Sequence, residues 1–277
     1  MTEKPTLLKQ VIVYTLLTIG AFMMAFPFVW MLSTSLKTLG AVSQLPPQLI
    51  PNPVQWANYE TVWNRVDFGR YTFNSVLIVT IDLIGTLVSC AFVAFGLAMF
   101  NFKLRKVLYL AMLATLMLPF QVTLIPSYFI WKSFGMLNSY YPLLIPSFLG
   151  GAFGIFLMHQ FFKSLPRELY EAAVIDGCNP LGIFWKIYMP LCRPALSALG
   201  VFTFIGAWNN TVGPLIYLQD RELYTLPLAL LYLKSDTQIN TALLMAAAVI
   251  VTLPVVAVYL VAQKQFVQGI ASTGLKG

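Results

Sequence analysis

The sequence predicts an all-α membrane protein with six transmembrane helices and both termini in the cytoplasm. Three observations carry that expectation. Charged side chains make up only 10% of the 277 residues and hydrophobic ones 58%. An ordinary soluble domain is roughly 25% charged, so a water-soluble globule of this length would lack a solvated surface. Six apolar runs each approach or exceed the roughly 20 residues a helix needs to cross a bilayer, and no series of short alternating segments points to a barrel. Finally, the formal charge of +7 is spread unevenly along a chain poor in charge, as membrane orientation demands. The same composition excludes disorder, collagen, a coiled coil and a small disulfide-stapled scaffold.

The first span is read at 11–35. Lys4 and Lys9 ahead of an apolar run imitate the start of a signal peptide, but the run is too long and lacks a small-residue cleavage site, so it is retained. The second, 73–100, carries Ser75, Asp82 and Ser89 at seven-residue spacing with Gly85 and Gly96 on the same stripe, a face to be buried against protein. The third, 107–131, has Pro119 and Pro126 around Gln121 and Thr123 and is expected to kink. The fourth, 140–162, holds Gly150, Gly151 and Gly154 for bending or close packing. His159, the only histidine, is read as a hydrogen-bonded structural residue near its cytoplasmic end. The fifth, 196–218, contains Trp208-Asn209-Asn210-Thr211 before Gly213-Pro214, and the sixth runs 241–263. The Pro- and aromatic-rich segment 36–72 is read as an ordered extracytoplasmic cap, and 219–240 as a second outer loop.

With the N-terminus inside, eleven Lys and Arg fall on the cytoplasmic side and six outside; the short loop Asn101–Lys106 votes most cleanly. Counting acids, the inner face nets +7 and the outer +1, with Asp82 inside a span supplying the last negative charge. No nucleic-acid partner is needed to explain the basic balance. Cys90, Cys178 and Cys192 are spaced for neither zinc nor a redox pair and are read as free thiols.

Residues 163–193, KSLPRELYEAAVIDGCNPLGIFWKIYMPLCR, concentrate seven charges and read as two short helices. Ser164 is expected to cap the first, with Pro166 in its opening turn, Arg167 and Glu171 paired at i, i+4, and Gly177 as its stop. Asn179 caps the second, Pro180 opens it and Pro190 halts it. The small Ala172 and Ala173 let another surface approach closely. Asp176 sits near a helix C-terminus, where a negative charge is disfavoured, which implies a bond to the turn or to a partner. A helix lying on lipid is the plainer alternative.

The stretch EAAVIDGCNPLGIFWKIYMPLCRPAL resembles the EAA loop of ABC importer permeases, with Glu171, Ala172, Ala173, Asp176, Gly177, Phe184, Ile187, Pro190 and Pro194 in its places. LPFQVTLIPSYFIWKSFGMLN, GIFLMHQFF, GAWNNTVGPLI, YTLPLAL and QFVQGIASTGLKG extend the resemblance to the carbohydrate-uptake branch and its maltose-type second permease. That resemblance implies a type I importer permease fold whose cytoplasmic coupling helix seats Glu171, Ala172, Ala173, Asp176 and Gly177 in an ATPase subunit. It implies a homologous second permease, two ATP-binding subunits and an extracytoplasmic sugar-binding protein as partners, in the inner membrane of a prokaryote. It also implies that 219–240 docks on the binding protein and that Gln263–Gly277 contacts the ATPase dimer.

The chain has no G-x-x-x-x-G-K-[ST] loop, so ATP and Mg are expected in the partner ATPase and no cofactor in this chain. No catalytic or metal-ligating constellation appears. The expected function is transport of a sugar or oligosaccharide by alternating access. Sugar hydroxyls call for polar and aromatic groups inside spans, which makes Gln121, Trp208, Asn209, Asn210 and Asp82 the pathway candidates. Asn209 and Asn210 serve equally as interhelical glue, and Asp82 as a structural or partner-facing group. A glycerol-phosphate-type substrate is the alternative within the superfamily, though no span offers a cation for a phosphate. An ion-coupled secondary transporter would need paired intramembrane ionisable residues, and only Asp82 hints at one.

Overall fold

Hydrocarbon offers the backbone no hydrogen-bonding partner, so a spanning chain must satisfy its N–H and C=O groups internally, and helices dominate accordingly. The computed structural model describes residues 6–65, 67–235 and 240–274, without the side chains of residues 235 and 264–274. Two compact units divide the chain: residues up to Phe68 with Leu230–Leu253, and Gly69–Ala229 with the residues from Pro254 on.

In the first unit, α1 (Leu7–Ser35) is apolar on every side and buries only its last residues, Ser33, Thr34 and Ser35. Short helices α2 (Leu39–Val42) and α3 (Ala57–Arg65) follow. Polar anchors hold them. Asn58 Nδ2 donates to the carbonyls of Ser35 and Lys37 at 2.8 and 2.9 Å, the Ser35 and Tyr59 hydroxyls pair at 2.7 Å, and Ser33 Oγ donates to the Leu49 carbonyl. Lys37, 3% exposed, lies over the Trp30 ring at 4.3 Å. Residues 36–65 are thus tied down by side-chain bonds to the end of the first helix.

The second unit is built on α4 (Phe68–Met99). After it come α5 (Arg105–Thr115), α6 (Phe120–Ser133), α7 (Tyr141–Leu144) running into the 3-10 turn Ile145–Leu149, and α8 (Ala152–Ser164). The 163–193 segment forms α9 (Glu168–Ile175), α10 (Pro180–Ile183), a π-turn (Phe184–Tyr188) and α11 (Met189–Leu191). Then follow α12 (Arg193–Trp208), α13 (Val212–Tyr217), the 3-10 turn Arg221–Leu223, α14 (Leu226–Ser235) and α15 (Thr241–Gly274), the last two contributing Leu230–Leu253 to the first unit.

Among the described residues four helical stretches are long and apolar enough to cross a membrane: Leu7–Ser35, Phe68–Met99, Tyr141–Ser164 and Thr241–Gln263. Two bent pairs raise the number to six if each is one span. The third expected span is broken rather than kinked: α5 and α6 diverge by 101°, because Pro119, the N-cap of α6, has no N–H to continue the ladder. Pro126 sits inside α6 without interrupting it. The expected 196–218 helix also divides. Asn209 Nδ2 donates to the Ile205 carbonyl at 2.9 Å, and Asn210 Oδ1 accepts from Gly213 N–H at 3.0 Å. The two amides end α12 and start α13.

Helix approach on α4 is close. A Cβ at Gly154 of α8 would lie 2.6 Å from Cys90 Sγ, and one at Gly85 2.5 Å from Ser147 Oγ, so any side chain at either crossing would displace its neighbour. The core of this unit gathers Phe95, Phe162, Phe184 and Tyr188, each at most 2% exposed.

Candidate coupling surface and pathway residues

The 163–193 loop forms two helices, but their ends differ from expectation. Ser164 Oγ donates back to the Phe161 carbonyl at 2.7 Å and closes α8; Arg167, not Ser164, is the N-cap of α9, with no side-chain capping bond. Arg167 Nε and Glu171 Oε1 pair at 3.4 Å, four residues apart. Gly177 stops α9 with φ +77°, the left-handed conformation glycine adopts without strain. Its N–H and that of Cys178 donate to the Val174 and Ala173 carbonyls, both at 3.0 Å. Asn179 Oδ1 accepts from Gly182 N–H at 2.6 Å and caps α10, with Pro180 in the first turn.

Pro190 does not halt the second helix. The backbone widens into a π-turn, in which Met189 N–H reaches the Phe184 carbonyl, and Pro190 sits in the short helix beyond it. Widening by one residue removes the clash a proline makes with the carbonyl four residues back. The helix stops at Cys192, where the chain turns by 79° into α12.

The loop presents one face and buries another. Glu171, Ala172, Asp176 and Gly177 are exposed, while Ala173 is buried. The Asp176 carboxylate has no ion-pair or hydrogen-bond partner among the described residues, so the turn does not use it. Inward, Phe184 and Tyr188 stack on Phe95 of α4 with ring centroids 5.3 and 5.1 Å apart, and Phe162 of α8 meets Tyr188 at 5.6 Å. Edge and tilted aromatic contacts of this kind are favourable beyond their buried area. The loop is thus packed on α4 and α8 through aromatic rings.

The pathway candidates do not converge in this chain alone. Trp208 is 3% exposed and stacked on Phe204 at 5.7 Å. Asn209 and Asn210 beside it are exposed, each spending one amide atom on a helix end. Gln121 is exposed in the first turn of α6. Asp82 is half-buried; the nearby Ser147 hydroxyl donates to the Leu144 carbonyl at 2.6 Å. Among the described residues no hydrogen bond links Gln121 or Asp82 to Asn209 or Asn210. The Ser75–Asp82–Ser89 stripe meets its own chain: Ser75 Oγ accepts from Leu226 N–H at 2.7 Å, and Ser89 Oγ donates to the Ser147 carbonyl at 2.7 Å. His159 is buried against the Tyr109 ring at 4.4 Å, and its Nδ1 has no hydrogen-bond partner among the described residues, contrary to expectation.

Sequence reading missed the residues that hold the 219–235 segment. Asn138, with φ +56°, binds Gln219 and Asp220, while Asn74 Nδ2 donates to the Glu222 and Tyr224 carbonyls at 2.8 and 3.0 Å. Residues 219–222 at the start of the expected docking loop are exposed, whereas Thr225, Leu226, Leu228 and Ala229 further along it are buried. Residues 236–239 and 275–277 of the expected docking loop and tail lie outside the described residues. One signal was available: Asn138 follows Gly135 in a short turn, where asparagine tolerates the left-handed region.

The family described as binding-protein-dependent transport system inner membrane component matches residues 87–272. The chain is 32% identical over 269 residues to the lactose transport system permease protein LacG of Rhizobium radiobacter, covering 97% of each. It is 33% identical over 265 residues to the diacetylchitobiose uptake system permease protein NgcG of Streptomyces coelicolor (94% of this chain, 87% of that one). Identity is 34% over 271 residues to the sn-glycerol-3-phosphate transport system permease protein UgpE of Yersinia enterocolitica (94% and 95%). Among solved structures, a bacterial ABC transporter involved in the import of the acidic polysaccharide alginate superposes with a TM-score of 0.85 at 25% identity, covering 95% of this chain and 99% of that one.

Proposed function

Because the chain belongs to the family of binding-protein-dependent transport system inner membrane components, we propose that it is the permease subunit of an ATP-driven importer moving a sugar or oligosaccharide across a prokaryotic cell membrane. ATP hydrolysis lies in separate subunits, and this chain is not an enzyme. In this reading the six spans run N-in and C-in, with the bent pair α5–α6 counted as the third and α12–α13 as the fifth. A homologous second permease completes the pathway, two ATP-binding subunits bind ATP and Mg, and an extracytoplasmic binding protein delivers the sugar.

One observation carries the coupling role. The exposed Glu171, Ala172, Asp176 and Gly177 stand on a loop whose other side is fixed to α4 and α8 by Phe184 and Tyr188. Closure of the ATPase pair moves that loop as a rigid lever and biases the two accessibility states of the pathway. Gln121, Asn209 and Asn210 line the sugar route together with the partner permease, with Trp208 buried beside the two asparagines; Asp82 keeps α4 in register, and 219–235 contributes to docking of the binding protein.

Reconstitution with the ATPase and binding protein in vesicles tests this. ATP supplied on the ATPase side is expected to drive uptake of a labelled oligosaccharide, and vanadate to stop it. Uptake of glycerol 3-phosphate instead would favour the substrate class of UgpE, and uptake driven by an ion gradient without ATP would overturn the reading.

A further inference from the structure

An open apolar groove of 460 Å³ runs along α12 in the second unit. Gly200, Val201 and Phe204 of α12 floor it, Leu83 of α4 walls one side, and Ala257 and Val261 of α15 wall the other. Ser197 supplies the one side-chain hydroxyl. The coupling mechanism uses none of these residues.

Two features say what fits there. Arg193 lies four residues before Ser197 on α12, hence one turn further out on the same face. It is exposed, and forms no ion pair among the described residues. It stands at the first turn of a 16-residue helix, where the backbone adds positive partial charge. The second feature is length. From Arg193 to Phe204 the helix rises about 16 Å, close to the roughly 15 Å hydrocarbon depth of one leaflet. The groove itself, lined from Ser197 to Phe204, takes up about 10 Å of that rise. A cation at the interface, followed by an apolar channel within one leaflet, matches an anionic headgroup with the upper part of its acyl chain.

We propose that this groove binds an acidic phospholipid from the leaflet on the side of the 163–193 loop, with its phosphate on Arg193 and an acyl chain along Gly200, Val201 and Phe204. Arg193 directly follows the joint at Cys192, where the loop turns into α12, so a lipid held there braces that joint.

Native mass spectrometry of the full chain in mild detergent tests this with phosphatidylglycerol and phosphatidylcholine of identical acyl chains. Phosphatidylglycerol is expected to be retained roughly five-fold better, the factor for one cation near an anionic headgroup. Arg193→Gln, at an exposed position, should remove that preference and Arg193→Lys keep it. Ala257→Trp, which fills the groove from an exposed position, should lower retention of both lipids. Equal retention of the two lipids by the unmodified chain overturns the proposal, as does a preference unchanged in Arg193→Gln. A disulfide between Ala257→Cys and a cysteine in the partner permease of the assembled complex, showing a protein helix in the groove, overturns it too.

Discussion

Asn138 grips Asp220 from two directions: its Nδ2 donates to the Asp220 carboxylate at 2.6 Å, and its Oδ1 accepts from the Asp220 N–H at 3.0 Å. The same Oδ1 accepts from Gln219 N–H at 3.0 Å, and the Asn138 N–H donates to the Tyr217 carbonyl at 2.8 Å. A residue 82 positions earlier thus closes the start of the segment that ends in α14.

Asn138→Gly tests that grip without disturbing the backbone, because glycine tolerates φ +56°. It deletes the three side-chain bonds, which are exposed and worth about 0.5–1.5 kcal/mol each. Faster hydrogen exchange at Gln219 and Asp220 is expected, with slower uptake and normal assembly. Asn138→Ala should be worse, since it adds strain in the left-handed region.

Glu171→Lys places like charges four residues apart on α9 and should destabilise the helix by only about 0.5 kcal/mol, because both side chains of the Arg167–Glu171 pair are more than half exposed. Membrane insertion is therefore expected to stay normal while ATP-driven uptake is lost. Restoring the pair by reversing both charges should rescue helix stability and not uptake. Rescued uptake would mean that Glu171 serves only its own helix.

The cysteines report on the loop. Cys178 is exposed in the turn after α9 and Cys192 is buried at the joint to α12. Buried among its neighbours, the Cys192 thiol is out of reach of a reagent in water. A membrane-impermeant maleimide at pH 7.5 is expected to label Cys178 alone, only from the ATPase side, and less when the ATPase is bound. Labelling from the opposite side would reverse the proposed orientation.

Asp82→Asn keeps a polar side chain at this half-buried position and should leave folding and uptake intact, whereas Asp82→Leu removes every hydrogen-bonding atom there and is expected to lower thermal stability by about 1 kcal/mol. Uptake assays alongside thermal unfolding in detergent separate the two roles. Loss of uptake in a stable Asp82→Asn would make it a pathway residue.

Much of the loop was legible because its signals are local. The Arg167–Glu171 spacing, Gly177 as a stop and Asn179-Pro180 as a start each act within one turn of helix, and each occurs in the structure. Pro190 misled because a proline forbids a regular α-turn, and sequence alone does not say whether the chain stops or widens. Ser164 misled for a similar reason: a serine at a junction serves the helix before it as readily as the helix after.

Composition and the spacing of apolar runs determined that this chain lives in a membrane as helices, since hydrocarbon punishes charge and unsatisfied backbone whatever the tertiary arrangement. The EAA pattern determined the family, being long and locally encoded. Only the tertiary structure decided that α5 and α6 break apart by 101°, that Phe95 receives Phe184 and Tyr188, and that Asn74 and Asn138 hold a segment 80 to 150 residues away. Those pairings depend on which distant surfaces meet, and polar residues that bond across such distances leave no periodic trace in the sequence.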